Sequence, residues 1–238
     1  MEAGRRIGLR QRRLDPEGSK AAFATIEGAV FALLGLLVAF TFSGAAERFE
    51  ARRQLIVQEA NAIGTAYLRI DLLPNEAQRT LRSNFKDYLD ARIEMYRHVG
   101  SDIEAARNDM RRYADLQDKI WAEAVAACNA GCSPAVESLV ISSLNEMIDI
   151  TTTRYVALET HPPAAIFWSL GILLLAGSLL AGYSMAEAKK PSMLHRLLFP
   201  IILTTAVYII VDLEYPRMGF IRIDKADHVL TDLRKSMR

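Results

Sequence analysis

Side chains that could carry out chemistry are sparse in this chain, and they form no recognisable catalytic motif. The four histidines are scattered: His98, His161, His195 and His228. Nothing pairs a nucleophile with a general base, and nothing supplies the paired couples of Cys or His ligands that a metal site requires. We therefore predict that the protein is not an enzyme and that it needs no cofactor or metal.

The only two cysteines, Cys128 and Cys132, lie in the sequence Cys-Asn-Ala-Gly-Cys at a predicted turn between two helices. Disulfides form in oxidising compartments, whereas thiols stay reduced in the cytoplasm. The pair is therefore either a small disulfide, if this turn lies in the periplasm, or two free thiols, if it lies in the cytoplasm.

Three carboxylates stand at the ends of apolar stretches. Glu27 precedes the first stretch, while Asp212 and Glu214 close the last one. An ionisable group at membrane depth is costly, which makes each a functional candidate. Asp212 and Glu214 lie on different faces of a helix, so we expect each to pair with Arg217, with Arg222 or with an arginine of the long first helix. In an oligomer, a ring of such acids would instead attract cations.

The elements that position these groups are apolar helices. Residues 28–46 and 164–186 contain no charged residue, and 197–211 form a shorter apolar run that contains Pro200. About twenty helical residues match the ~30 Å hydrocarbon core of a bilayer. We predict transmembrane helices at 23–46, 164–186 and 197–214, after a basic amino-terminal segment at 1–22. The first run exceeds a signal-peptide core in length, which favours an uncleaved anchor.

Between the first two spans, residues 47–163 predict a domain of four amphipathic helices in an antiparallel bundle. The first helix continues from the first span and stops at Pro74, and the last begins at Ser133-Pro134 and leads into the second span. Two further helix starts are predicted as capping boxes, Asn75 with Gln78 and Ser101 with Glu104. Charged residues of the first helix, including Arg48, Glu50, Arg52, Arg53 and Glu59, are interpreted as solvated faces and intrahelical pairs. Residues 215–238 are predicted to be a polar tail.

Small residues recur along one face of the first span, at Gly28, Ala32, Gly35 and Ala39. The second span repeats the pattern at Gly171, Gly177, Ala181 and Gly182. Small residues let membrane helices approach closely. Such a face serves either the packing of the three spans within one chain, or a subunit interface or narrow pore wall, and Glu27 would then lie near the conduction path.

The basic residues give nearly equal support to the two possible orientations in the membrane. The arginine-rich amino terminus and the Lys189-Lys190 hairpin lie on one side, which the positive-inside rule places in the cytoplasm. The carboxyl-terminal segment on the other side is also basic, with Arg217, Arg222, Lys225, Arg234 and Lys235. The count favours a cytoplasmic amino terminus. The overall net charge of +1 gives no support to nucleic-acid binding.

Several motifs resemble the bacterial bestrophin-like membrane proteins of unknown function. They are residues 31–43 (FALLGLLVAFTFS), 59–69 (EANAIGTAYLR), 145–149 (NEMID), Arg154, 161–163 (HPP) and 212–219 (DLEYPRMG). The resemblance extends over most of the chain, from about residue 27 to 222. It implies helices that run from the membrane into a soluble bundle, as in bestrophins, which are homo-oligomeric ion channels.

The resemblance therefore implies a homo-oligomeric, multi-pass ion channel or channel-like protein of the bacterial inner membrane, with the lipid bilayer and inorganic ions as its partners. The alternative is a non-conducting membrane scaffold or sensor whose bundle binds a partner. Polar residues on the first and fourth bundle helices would face each other, and they form either a buried network or the lining of a vestibule. They are Asn61, Asn145, Glu146, Asp149 and Arg154.

Overall fold

The computed structural model describes residues 1–14, 20–99, 101–187, 193–223 and 226–237, and this part of the chain contains helices and no strand. The helices, in chain order, are α1 (Glu2–Leu14), α2 (Lys20–Arg69), α3 (Asn75–His98), α4 (Ile103–Gly131), α5 (Pro134–Glu159), α6 (Ala164–Ser184), α7 (Met193–Glu214) and α8 (His228–Ser236). Short 3₁₀ turns occupy Ile70–Leu72 and Met185–Glu187. The predicted all-α fold is confirmed.

Three helical stretches are long and apolar enough to cross a membrane: Ala24–Leu72, Pro134–Ser184 and Leu197–Glu214. The chain forms two compact units. We call Met1–Glu47 with His161–Glu214 the membrane unit, and Arg48–Thr160 with Tyr215–Arg238 the bundle unit. Gly100, Lys225 and the predicted hairpin lysines, Lys189 and Lys190, lie outside the described residues.

The membrane unit packs through small residues and aromatic edges. Gly4 and Gly8 of α1 lie directly against the backbone of α6 at Leu179 and Tyr183, and Gly182 of α6 lies against the backbone of Met1. A side chain at any of these three glycines would collide with that backbone. This close approach is the packing that small residues permit between helices in lipid.

Elsewhere in the membrane unit, one face of α2 packs on α6 and α7. Phe31 of α2 meets the ring of Phe199 of α7 edge to face, with the ring centroids 5.5 Å apart. The α-carbon of Gly177 on α6 faces Phe31 and Leu34 of α2, and Leu34 is buried.

The bundle unit has a core of large apolar side chains from the second part of α2 and from α3, α4, α5 and α8. Its fully buried members are Ile56, Ile63, Leu81, Phe85, Tyr88, Leu89, Ile120, Met147 and Leu230. The edge of the Phe85 ring packs against Tyr67, and Tyr88 packs in the same way against Tyr113. Aromatic pairs of this kind add to the stabilisation from apolar burial.

Local sequence signals place most helix ends correctly. As predicted, α2 ends before Pro74, and Ser133 caps α5 by accepting a hydrogen bond from the Val136 amide, with Pro134 at the first helical position. The two predicted capping boxes are wrong. Pro74 occupies the cap position of α3 with no side-chain bond, and Asp102, not Ser101, caps α4 by accepting from the amides of residues 104 and 105.

Both chain ends contain helices that the sequence analysis did not predict. The segment predicted to be basic carries α1, and the segment predicted to be a polar tail carries α8. Leu230 of α8 is fully buried in the bundle core, which Ile223 and Met237 also join. The Arg234 guanidinium forms two hydrogen bonds to the Asp90 carboxylate of α3, at 2.8 and 2.9 Å.

Candidate functional site

The small-residue face of α2, formed by Gly28, Ala32, Gly35 and Ala39, is exposed in the single chain. Apart from the adjacent backbone of α2 itself, no atom of the described residues lies within 4 Å of the position that a β-carbon would take at Gly28 or Gly35. We call these four residues the open face. The described contacts of α2 with α6 and α7 are made by Phe31 and Leu34, which lie beside this face rather than within it. Packing among the spans of one chain and a subunit interface or pore wall both stay predictions for the four small residues.

The small residues of α6 are used differently from one another. Gly177 and Gly182 serve intrachain contacts, with α2 and with the start of α1 respectively, whereas Gly171 has open space around it. The repeated small-residue pattern of the second span therefore reflects packing within the chain for at least two of its four members.

Glu27 is half-buried at the beginning of the membrane part of α2. The Ser184 hydroxyl, at the last residue of α6, donates a hydrogen bond of 2.5 Å to its carboxylate. A carboxylate held by a hydroxyl at a helix end fixes α2 against α6 at this point. Glu27 lies one residue before the open face and stays a predicted pathway residue.

In the bundle unit, Glu59 of α2 lies fully buried between two arginines. Arg92 of α3 donates to one carboxylate oxygen from Nε at 2.6 Å, and Arg154 of α5 pairs with the other oxygen. Arg92 is itself 1% exposed and Arg154 is 5% exposed. A buried ion is tolerable only when partners satisfy it, and here three helices each supply one member of the arrangement.

The ring of Tyr96 stands at the centre of this cluster. The guanidinium carbons of Arg92, Arg154 and Arg217 lie 4.9, 3.9 and 4.9 Å from its centroid. The hydroxyl of Tyr96 accepts a 2.5 Å hydrogen bond from Arg92. Cation–π contacts of this kind strengthen when they are removed from water. We call Glu59, Arg92, Tyr96, Arg154 and Arg217 the tyrosine-centred cluster.

Burial alone would raise the pKa of Glu59, but the Arg92 and Arg154 guanidiniums hold the pKa of this carboxyl below its ordinary value. Burial raises the pKa of the Tyr96 hydroxyl to about 12, partly offset by Arg92. The cluster therefore keeps Glu59 ionised and Tyr96 neutral near neutral pH, and its geometry is that of a structural clamp.

Other buried charges also tie segments of the bundle unit together. Arg52 of α2 donates from Nε to the Ala157 carbonyl at 3.0 Å and from a terminal nitrogen to the Thr160 carbonyl at 2.9 Å. These carbonyls belong to the carboxyl-terminal end of α5, where a cation is favourable. Arg217 donates to the Tyr96 carbonyl at 3.1 Å and to the Asp227 carboxylate at 3.0 Å.

The interpretation of Arg52 and Glu59 as members of a solvated face is therefore wrong. Both occur at positions where the apolar stripe of α2 continues, four residues before Ile56 and Ile63 respectively. Arg92 likewise lies four residues from Tyr88 and from Tyr96 on the apolar face of α3. A charge in register with an apolar stripe was the signal that could have identified these residues.

The predicted polar network divides in the structure. Arg154 belongs to the tyrosine-centred cluster, whereas Asn61, Asn145, Glu146 and Asp149 are exposed and line an open groove of about 580 Å³ between α2 and α5. Gln58, Ser142 and Thr153 complete the polar lining. Asn61, Asn145, Glu146 and Asp149 therefore line a solvent-exposed groove and do not form a buried network.

The carboxylates at the end of α7, Asp212 and Glu214, are buried, with 5% and 1% of their surface exposed. The His161 ring nitrogen Nδ1 lies 3.4 Å from a Glu214 carboxylate oxygen. Arg222 is exposed. The predicted pairing of Asp212 with an arginine stays a prediction.

Cys128 and Cys132 are free thiols, and burial raises the pKa of Cys128 to about 11. In the part of the chain that the structure describes, no group of three His, Cys, Asp or Glu side chains is placed to hold a metal ion.

Comparison with known proteins identifies the family. A family model described as Bestrophin-like domain matches residues 4–227. Two solved variants of a bacterial bestrophin homologue from Klebsiella pneumoniae superpose with TM-scores of 0.72 and 0.71, each at 15% sequence identity. The first comparison covers 98% of this chain and 96% of the other, and the second covers 98% and 93%. No curated protein sequence matches the chain. The chain belongs to the bestrophin-like family of membrane proteins.

Proposed function

We propose that the protein is a homo-oligomeric ion channel of the bacterial inner membrane, with several membrane passes in each subunit. Membership of the bestrophin-like family, which is channel-like rather than enzymatic, supports the proposal. The observation that carries it is the open face of α2, since these small residues are exposed and the described part of the chain places no atom against Gly28 or Gly35.

A membrane helix has little hydrophobic gain from burying small side chains, so an uncovered small-residue face is best explained by the close approach of another helix. Copies of α2 that meet along or near this face would surround a narrow path. Residues with little or no side chain leave room for an ion and its partial hydration shell, and the Glu27 carboxylate at one end would raise the local cation concentration.

The polar groove between α2 and α5 supports a conducting role for the bundle unit. Its two carboxylates, Glu146 and Asp149, stand among amide and hydroxyl groups that stay hydrated. An exposed lining of this composition suits a water-filled vestibule, and it does not suit the apolar groove that would bind a partner helix.

The test is ion flux from proteoliposomes together with the mass of the purified oligomer. Gly35→Leu fills the open face and should abolish flux or prevent assembly. Leu33→Ala, a change on the same helix at an exposed position away from the glycine face, is the matched control and should leave both unchanged. A monomeric parent protein without flux would refute the channel proposal, and a stable oligomer without flux would support a non-conducting scaffold.

A further inference from the structure

Helix α1 combines a close contact to a membrane span with a strong positive charge. It carries five arginines, at positions 5, 6, 10, 12 and 13, against one acid, Glu2. Among residues 1–11, for which the burial is described, the two buried residues are Gly4 and Gly8, which contact α6. Arg6 and Arg10 each follow one of these glycines by two residues, which places them on the opposite, outward face of the helix.

The position of α1 along α6 defines its depth in the bilayer. Helix α6 has 21 residues and is about 31 Å long at ~1.5 Å per residue, which matches the hydrocarbon core. Helix α1 contacts Leu179 and Tyr183 at the carboxyl-terminal end of α6, and Ala186 in the 3₁₀ turn that follows it. Tyrosine is enriched at the level of the lipid headgroups. Helix α1 therefore lies at the membrane surface, where its guanidiniums reach water and lipid headgroups.

The exposed surface of α1 is also partly apolar. Ile7 is 51% exposed and Leu9 is 42% exposed, while the Arg6 side chain is 79% exposed. A helix with guanidiniums and uncovered apolar side chains is typical of the interface between headgroups and acyl chains. Glu2 pairs with Arg5 and Arg6 at 3.7 and 3.4 Å, so these two guanidiniums share one carboxylate.

We propose that α1 is a binding surface for anionic phospholipid headgroups, with Arg6 and Arg10 as the residues that contact the lipid phosphate. The glycine contacts hold the helix against α6, so the arginines are presented at a fixed depth. This inference is independent of whether the protein conducts ions.

Native mass spectrometry of the full-length protein from detergent micelles tests the proposal, with phosphatidylglycerol and phosphatidylcholine of the same acyl chains as probes. The parent should retain phosphatidylglycerol in preference to phosphatidylcholine. The double variant Arg6→Gln/Arg10→Gln should weaken phosphatidylglycerol binding by about fivefold for each arginine removed, because a basic residue near an anionic surface contributes about 1 kcal/mol.

The matched control is Arg107→Gln/Arg112→Gln, which removes two exposed arginines from α4 that also have acidic partners. It should retain phosphatidylglycerol like the parent. Inorganic phosphate, added as a competitor, should leave lipid retention unchanged. Equal retention of both lipids by the parent, unchanged retention by the α1 variant, an equal loss in the α4 control, or displacement by inorganic phosphate would each overturn the proposal.

Discussion

The membrane unit and the bundle unit stabilise their helices by different means. In the membrane unit, glycines let α1 approach α6 until backbones touch, and the apolar surfaces of the spans stay largely uncovered. In the bundle unit, large side chains fill a core that also encloses an ion-pair cluster around Tyr96. Close backbone approach dominates the packing of the membrane unit, and side-chain burial dominates the packing of the bundle unit.

The difference follows from the solvent that each unit meets. Removal of apolar surface from water stabilises a fold by about 25 cal/mol per Å², which allows a bundle in water to enclose charges at a net cost. Lipid offers no comparable gain, so helices in it associate through van der Waals contact and specific hydrogen bonds. A substitution should therefore lower the free energy of unfolding most where it leaves an ion unpaired in the bundle unit. It should lower it less where it separates two helices in the membrane unit.

The largest effect is expected for Glu59→Gln. The substitution keeps the volume of the side chain but leaves Arg92 buried without its counter-ion and Arg154 with the more distant Asp227 carboxylate, at 4.0 Å. It should lower the free energy of unfolding by about 3–5 kcal/mol. Chemical unfolding of the full-length protein in detergent measures it. Glu50→Gln, on the same helix at an exposed pair with Arg53, should change it by less than about 1 kcal/mol. Equal effects of the two changes would contradict a clamp role for Glu59.

The variant Asp212→Ala tests whether the stability of the membrane unit also depends on a buried charge. We expect an arginine to hold Asp212, so removal of the acid should cost about 1–3 kcal/mol of stability or disrupt assembly before it alters flux. Thermal unfolding and oligomer mass measure this, with the exposed Asp149→Ala as control. If Asp212→Ala assembles and unfolds like the parent but changes flux, the acid belongs to the pore.

Gly8→Leu should separate α1 from α6. A β-carbon at this position would meet Ala186 and the carbonyl oxygen of Tyr183 at 2.8 and 2.9 Å, and overpacking of this kind costs about 1–3 kcal/mol. The midpoint of thermal unfolding in detergent should fall. Gly171→Leu, at an α6 glycine with open space around it, should leave the midpoint of a single subunit unchanged. An unchanged unfolding midpoint for Gly8→Leu would show that the Gly8 contact does not hold α1 against α6.

The smallest expected effect is the change in the free energy of unfolding at acidic pH. Because the folded-state pKa of Glu59 is lowered, its ionised form stabilises the fold above the unfolded-state pKa near 4.5, and that contribution is lost as pH falls further. The difference in unfolding free energy between the parent and Glu59→Gln should therefore narrow below about pH 4.5. A difference that stays constant from pH 7 to pH 3 would exclude ionisation of Glu59 as the source of stability.

The sequence predicts features with a local cause. The stop at Pro74 and the cap at Ser133 act within one or two helical turns, and the apolar length of each span is read from one continuous segment. All three features were predicted correctly. Helix α8 was missed because its burial depends on contacts distant in sequence, such as the pair of Arg234 with Asp90. The small residues of the open face were visible in the sequence, but composition alone does not show whether a neighbour covers them.

The sequence also does not predict that Arg154 separates from Asn61, Asn145, Glu146 and Asp149, again because contacts distant in sequence decide the outcome. All five positions are polar, and only their rotation about the helix axis decides which of them faces the core. Arg154 lies three residues after Thr151, which is buried, whereas Asp149 points into the groove. Helical register resolves such cases when a neighbouring core residue is known, and charge alone does not.

The position of α8 has a consequence for biosynthesis. The bundle core takes residues from α2 to α5 and from the segment that carries Ile223 and α8, with α6 and α7 synthesised in between. A ribosome that has completed α5 has therefore not yet made Leu230 or Arg234, and the core stays open while two further apolar helices emerge. The bundle closes only after α8 has been synthesised, so a nascent chain interrupted before α8 would display unfinished apolar surface to the quality-control proteases of the cell.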